Sequence, residues 1–225
     1  MKIQSFIVLI VIISSLTAKT SVAQLTNKVA IDRAGTNLRV KSSADQSIIG
    51  SPYLVDVWAK GNVKFVNSKP AENVDLKLDL LENVLVLKGG DGSENVFNEK
   101  ISEFTLNIIG KERLFRSGFL DSKNNLISAF FEVLYNGKTK FLSKEGKMVI
   151  ESKGYNTNTI TKQIENTTEY YISKANNSVS LVKLNEKVIL TYLGIPDLAK
   201  YVKDNELNLK TRDDIIKLLQ YCESL

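Results

Sequence analysis

The sequence predicts a mainly β protein of the α+β class: an antiparallel meandering sheet, rolled or sandwich-like, with C-terminal α-helices packed on it. Between residues 50 and 184, apolar and polar side chains alternate in successive short runs that turn residues separate. A period of two indicates strands with one buried face, and short turns between them indicate antiparallel neighbours. After residue 185 the apolar side chains recur at the spacing of an amphipathic helix.

The first 23 residues predict an export signal. Lys2 precedes a mostly apolar run, and residues 21–23 are small, as a signal peptidase requires. We therefore expect cleavage between Ala23 and Gln24, and a protein that is periplasmic or secreted and soluble after the cleavage. The apolar run is too short for a spanning helix, so we expect no membrane span in the mature chain. An uncut N-terminal anchor is the alternative interpretation.

Composition divides the 225 residues into four parts. The length that remains after the leader suits one domain, or one domain with a small appendage. The predicted parts are a signal peptide at 1–23, a polar extended lead-in at 24–49, a β-rich domain at 50–184 and a C-terminal helical segment at 185–225, packed on the β domain. Within the lead-in, Leu38 and Val40 indicate one short strand.

The first half of the β domain has the clearest strand pattern. Over residues 74–80, apolar side chains alternate with acidic and basic ones, so one face is predicted to be buried and the other wet. Residues 84–87 are apolar on both faces, which predicts a central strand that is covered on both sides. Alternation also predicts strands at 63–65 and 104–108.

The second half is predicted to begin with a long strand over Ile127–Tyr135. Asn136-Gly137 then predicts a tight hairpin, since both residues favour positive φ. The chain returns over 139–142, and a turn at Lys144–Lys147 leads into a further strand at 148–150.

The remainder of the β domain is more polar. Residues 154–159 are predicted as a loop and 161–171 as an edge strand. Asn176-Asn177 predicts another tight hairpin, between strands at 170–172 and 179–182.

Two helices are predicted near the C-terminus. Pro196 suits the first turn of a helix that continues through Val202. Thr211 is predicted as the N-cap of the second helix. The apolar stripe of that helix consists of Ile215, Leu218, Leu219 and Cys222. Because this spacing puts the four side chains on one face, we expect Cys222 to be buried against the sheet.

The composition excludes several kinds of catalytic site. The chain contains no histidine and one cysteine, so Ser-His-Asp triads, Cys-His dyads, histidine-ligated zinc and thiolate metal clusters are excluded. We expect no bound metal and no other cofactor. The formal net charge is +5, and removal of the two lysines of the leader reduces it to +3. Such a small excess does not predict nucleic acid as a partner.

Three local features resemble functional sites, and for each a structural role is the better interpretation. Ser117 lies between Arg116 and Gly118, but the Gly-x-Ser-x-Gly elbow and an activating histidine are absent, so a strand with a glycine kink is predicted. Trp58 could be a ligand platform, but its apolar neighbours predict core or rim. The carboxylate pairs that could serve glycoside hydrolysis, here predicted as solvated surface, are Glu99/Glu103 and Asp213/Asp214.

Six short segments carry a resemblance to a known group of proteins. They are Gly50–Leu54, Gly61–Val63, Glu72–Val74, Phe115–Phe119, Phe131–Leu134 and Asp213–Tyr221. On these segments the chain resembles a group of uncharacterised exported proteins from Bacteroidetes. The resemblance covers most of the mature chain, but each piece is short and structural in character. It implies a bacterial cell envelope and no particular functional residues, because the group has no assigned activity.

These observations leave three functional hypotheses. The first is a non-enzymatic, monomeric envelope protein that binds a ligand or an envelope partner protein through the sheet or its loops. The second is a carrier that holds an apolar small molecule inside a curved sheet. The third is a hydrolase that uses carboxylates without histidine. A filled interior of the sheet favours the binding module, an apolar cavity favours the carrier, and a polar cleft with converging acids favours the hydrolase.

Overall fold

The structure, a computed structural model, describes residues 38–42, 45, 47–153, 160–173 and 176–225. The predicted cleavage site at Ala23 and Gln24 and the predicted loop at 154–159 lie outside the described residues. The strands are β1 (Leu38–Val40), β2 (Ile48–Ile49), β3 (Ala59–Phe65), β4 (Ala71–Asp79), β5 (Val84–Lys88), β6 (Glu94–Phe97), β7 (Ile101–Ile108), β8 (Lys111–Arg116), β9 (Phe131–Asn136), β10 (Lys140–Lys153), β11 (Ile160–Ser173) and β12 (Val179–Val182). The helices that follow are α1 (Glu186–Leu193), α2 (Leu198–Asp204) and α3 (Arg212–Ser224).

All strands except β2 follow one path through a single sheet, in the order β1-β6-β5-β4-β3-β7-β8-β9-β10-β11-β12. Neighbours along this path are antiparallel. Strand β2 adds to β11 in parallel, through Ile48 and Ile49 alone. The described part is mainly β with helices at its C-terminal end, which confirms the predicted fold class.

The first part of the sheet curls around its own side chains. The rings of Phe65 on β3 and Phe97 on β6 lie 5.3 Å apart, although β4 and β5 separate those strands in the sheet. Since adjacent strands are about 4.8 Å apart, a flat sheet would hold the two rings about 14 Å apart. The sheet therefore rolls, and strands β3–β8, called the rolled part below, enclose an apolar core.

The helices cover the last strands of the sheet. Phe141 on β10, Ile172 on β11 and Val182 on β12 share one buried cluster with the apolar faces of the helices. The residues of the predicted stripe that this cluster buries are Ile215, Leu218 and Leu219. Cys222 packs against this cluster but is only half-buried, so the prediction that it is buried is wrong: the last turn of α3 lies at the rim of the cluster. Burial still raises the pKa of its thiol.

The structure confirms one of the two predicted helix starts and contradicts the other. The Thr211 hydroxyl accepts a hydrogen bond from the backbone N–H of Asp214 at 3.3 Å, which confirms the predicted N-cap. Helix α2 begins only at Leu198, after Asp197 at a φ of 63°, so the placement of Pro196 in its first turn is wrong. Within the described residues, no helix is long and apolar enough to cross a membrane.

The strands predicted in the first half of the β domain are confirmed as β3, β4, β5 and β7, and the short strand in the lead-in is confirmed as β1. Strand β5 lies between β4 and β6, as a central strand should. Its buried residues are Leu85, Val86 and Leu87.

Two strand predictions in the second half are wrong. The strand predicted over Ile127–Tyr135 begins only at Phe131, because the preceding backbone bonds elsewhere: the Ile127 N–H donates to the carbonyl of Phe119. The predicted turn at Lys144–Lys147 is absent, and β10 continues to Lys153 in unbroken register with β11. Gly146 fits this ladder because it lies opposite Thr167, whose hydroxyl would be 2.9 Å from an added Cβ.

Both predicted hairpins form, but both connections are longer than a two-residue turn, and the terminal pair of the second is Ser173 with Val179. Asn136 pairs with Lys140 across the first hairpin, so its connection is longer than the two-residue turn that requires positive φ, and neither Asn136 nor Gly137 has one. In the second hairpin Asn177 has a φ of 59°. The predicted edge strand is β11, which is an edge only in part, because β12 pairs with one end of it and β2 with the other.

Candidate binding surface

The interior of the rolled part is filled by aromatic side chains. The Phe104 ring stacks on Phe115 at 4.8 Å between centroids, and the edge of Phe130 meets it at 5.0 Å. Phe104 and Phe115 are at most 2% exposed. The space that a carrier would use for an apolar ligand is therefore occupied by this protein's own rings.

A surface groove of about 350 Å³ lies between β3 and β7. Glu72 and Glu103 both line it, together with Lys64 and apolar side chains. Glu103 accepts a charge-assisted hydrogen bond from Arg116 at 2.6 Å. Of the two carboxylates of the groove, Glu103 therefore has a structural partner on β8.

The carboxylate pairs singled out in the sequence have structural partners. Glu99 accepts a hydrogen bond from the Ser68 hydroxyl. Asp214 accepts from Lys217 at 2.8 Å and from the backbone N–H of Asn208 at 3.1 Å, and the bond from Lys217 is the main reason why the pKa of Asp214 is lowered. Asp213 lies beside it in the first turn of α3, where acidic residues are favoured.

The other two candidate features are structural as well. The Ser117 hydroxyl donates to the backbone carbonyl of Ile101 at 2.6 Å, and Gly118 has a φ of 87°, as a glycine kink requires. Trp58 lies half-buried at the rim, as predicted, with the Lys77 and Lys88 ammonium groups 4.9 and 5.9 Å from its ring. Its ring face is thus already covered by cations of the same chain.

Two largely buried ion-pair groups link separate elements of the sheet. The Lys41 ammonium lies 3.1 Å from Asp79 and 3.3 Å from Glu82, and these carboxylates raise the pKa of Lys41 although burial alone would lower it. Arg113 donates to both oxygens of Glu132, each at 2.7 Å, and to Glu145 at 2.7 Å. The sequence offered no signal for either group, since such charged residues also occur on any solvated surface.

Few other strands or helices contact the exposed half of the β10–β11 ladder. This segment, called the arm below, consists of Gly146–Lys153 and Ile160–Thr167. Strand β9 pairs only with the start of β10, and β12 pairs only with the end of β11. Met148 is 50% exposed and Ile160 is 59% exposed, so the arm presents apolar side chains to solvent.

Hydrogen bonds made by Lys147 cover part of the side of β10 that faces away from β11. The backbone N–H of Lys147 donates to the carbonyl of Leu80 at 3.3 Å. The Lys147 ammonium donates to the carbonyls of Ser51 and Tyr53, each at 2.7 Å, and burial lowers the pKa of Lys147. Beyond this point, no strand in the described part of the chain pairs with β10 on the side away from β11. Residues Met148–Lys153 on that side are called the open edge.

The direction of the Lys147 N–H defines which peptide groups of the open edge face outward. Alternate residues of an antiparallel strand direct their N–H and C=O groups to the same side. The β10–β11 register is unbroken, so this alternation continues from Lys147 to the tip. The backbone groups of Val149, Glu151 and Lys153 therefore point away from β11, without a strand partner in the described residues. The sequence pattern does not predict this edge, because it predicts a turn at Lys144–Lys147 and a separate short strand at 148–150.

No protein-family model matches this chain, and comparisons with curated proteins and with solved structures gave no significant match. In the part of the chain that the structure describes, no three His, Cys, Asp or Glu side chains lie close enough together to hold a metal ion.

Proposed function

We propose that this chain is an exported, non-enzymatic protein of the cell envelope that binds a partner protein by accepting one of its strands at the open edge. The observation that carries the proposal is the row of three outward-facing peptide groups, at Val149, Glu151 and Lys153, on a strand with exposed apolar side chains. The export step rests on the leader sequence, and the envelope location also rests on the resemblance described above.

An unpaired strand edge can form hydrogen bonds with a strand of another chain. Each free N–H and C=O group can join a ladder, and proteins usually cover or shorten such edges because they pair with other chains. A two-stranded ribbon is also marginally stable by itself, whereas a third strand stabilises it. An added segment would gain main-chain hydrogen bonds from the edge and specificity from the side chains beside it.

The rest of the molecule supports binding over the two alternatives. The filled interior of the rolled part supports a binding module rather than a carrier of an apolar small molecule. The groove between β3 and β7 does contain two carboxylates, but Glu103 is paired with Arg116, which weighs against the hydrolase.

The test uses the mature chain from Gln24 onward and a random library of extended peptides displayed on phage. We expect selected peptides to slow hydrogen exchange at the amides of Val149, Glu151 and Lys153. Glu151→Pro should abolish their binding, because proline removes an outward N–H while the β11 ladder keeps its bonds. Glu151→Thr is the matched control: it changes the same side chain, keeps the N–H, and should retain most of the affinity.

Two outcomes contradict the proposal. One is a selection that enriches no peptide for the folded protein. The other is a set of peptides whose affinity is the same for Glu151→Pro and Glu151→Thr, with protected amides elsewhere. Circular dichroism of both variants establishes that they fold.

A further inference from the structure

We propose that the open edge selects a segment of a partner protein that pairs with it in the antiparallel direction. Read from its N-terminus, this segment has an acidic, a basic and an apolar residue, in that order, at alternate positions. This inference rests on the proposed function, since it concerns the strand that the edge would accept. It is carried by the order of Val149, Glu151 and Lys153 along β10 and by the contacts of Lys147 and Glu145 at its base.

The first step is the charge of the edge. Val149, Glu151 and Lys153 lie two apart on β10, so their side chains share one face. An antiparallel segment passes them in reverse order, first Lys153, then Glu151, then Val149. Opposite charges on directly paired residues stabilise a sheet, and like charges destabilise it. Glu151 already has the Lys162 ammonium 3.6 Å away on β11, so a base on its open side would be a second cation beside it. An acid opposite Lys153, a base opposite Glu151 and an apolar residue opposite Val149 therefore complete the face.

The second step concerns the other face of the same edge. Met148 and Ile150 lie there, with Met148 half-exposed and Ile150 partly buried. An apolar residue opposite Ile150 would cover apolar surface that water now reaches. Read from its N-terminus, the segment therefore has an acidic residue, any residue, a basic residue and two apolar residues.

The third step excludes a second copy of this chain as the occupant. Residues 145–149 of β10 carry the same order of acid, base and apolar residues. However, Leu80 already bonds to the backbone of Lys147, and Arg113 binds Glu145, so both contacts would have to break in each copy. A symmetric register confined to residues 149–153 is the alternative, and it places Glu151 opposite Glu151 of the other copy. Like charges oppose that pairing, so the edge remains free for another chain.

The experiment compares three synthetic peptides of seven residues by NMR titration of the mature chain at low salt. The matched peptide has glutamate, lysine and valine at the positions opposite Lys153, Glu151 and Val149. The swapped peptide exchanges its glutamate and lysine. The reverse-order peptide has the matched sequence written backwards, which would fit a parallel strand.

We expect the matched peptide to bind about tenfold more tightly than the swapped one, because two favourable cross-strand pairs replace two unfavourable ones. The ratio should decrease at high salt, since exposed charges are screened. The double variant Glu151→Lys with Lys153→Glu should invert the preference. This inversion distinguishes edge pairing from general attraction to charge, because the net charge of the protein does not change.

The outcomes separate the two proposals. Equal affinities for all three peptides, with protection of the edge amides, would overturn the charge order and leave strand addition in place. Tighter binding of the reverse-order peptide would overturn the antiparallel direction. No binding of any peptide, together with a display selection that enriches nothing, would overturn strand addition itself. Dimers of the protein alone at micromolar concentration would show that a second copy occupies the edge and would overturn this inference.

Discussion

The two halves of the β10–β11 ladder have the same hydrogen-bond pattern and very different surroundings. The inner half, called the base here, consists of Lys140–Glu145 and Thr168–Ser173; the outer half is the arm. In the base, Phe141, Leu142 and Ile172 are fully buried, whereas the arm contains no buried residue. The pairing is continuous from one half to the other, so it cannot be the source of this difference.

The neighbours of each half explain the difference. Strands β9 and β12 flank the base, and the helices cover one of its faces. The arm touches β2, Leu80 and the segment around Ser51. Since burial of apolar area supplies most of the stability of a fold, the base is expected to contribute strongly to the free energy of unfolding and the arm weakly. A weakly contributing segment can change for binding at little cost to the fold.

The largest expected contrast is between two apolar truncations on β10. Phe141→Ala should lower the free energy of unfolding by about 4 kcal/mol, because the ring is fully buried between Tyr170 and the helices. Met148→Ala in the arm should change it by less than about 1 kcal/mol, because half of that side chain is in water. Urea unfolding of both variants measures the two values. Similar losses would mean that the arm is covered in solution.

The second contrast compares an ion pair from each half. Arg113→Met leaves Glu132 and Glu145 without their cation, and we expect a loss of about 3 kcal/mol because Glu132 is nearly buried. Lys162→Met removes the arm pair with Glu151, whose charges are 3.6 Å apart and exposed, and should cost less than about 0.5 kcal/mol. Thermal melts at neutral pH measure both. A marked loss for Lys162→Met would contradict the assignment of the arm as a weakly coupled segment.

The smallest expected contrast, between Thr211→Ala and Thr211→Ser, tests whether α3 stabilises the base without affecting the arm. Thr211→Ala removes the N-cap of α3 and should cost about 1 kcal/mol. Hydrogen exchange should become faster in α3 and at the base, while the amides of the arm exchange as before. Thr211→Ser is the control, because it keeps the hydroxyl and should behave as the wild type does. Faster exchange in the arm would show that both halves respond as one unit.

The sequence was sufficient for those parts of the fold that depend on local pattern. Alternation located β4 and β7, a run that is apolar on both faces located β5, and the apolar stripe and Thr211 located α3. It was insufficient where neighbours distant in the chain decide the structure. The turn predicted at Lys144–Lys147 was wrong because all four residues pair in register with β11, and glycine at 146 avoids a close contact with the Thr167 hydroxyl. The open edge depends on which strands lie beside β10, and no periodicity along β10 contains that information.

The parallel pairing of β2 with β11 has a consequence for how the chain folds. Residues 48 and 49 find their partners at residues 162 and 163, 114 positions later in the chain, whereas β10 and β11 are consecutive strands. Contacts between sequence-distant residues carry the higher loop-closure entropy and form slowly, while a hairpin forms within microseconds. If the chain is exported as proposed, its N-terminal segment crosses the membrane first, and β2 has no partner until β11 has also crossed. Pairing of β2 would then require that it stays unpaired until β11 is available.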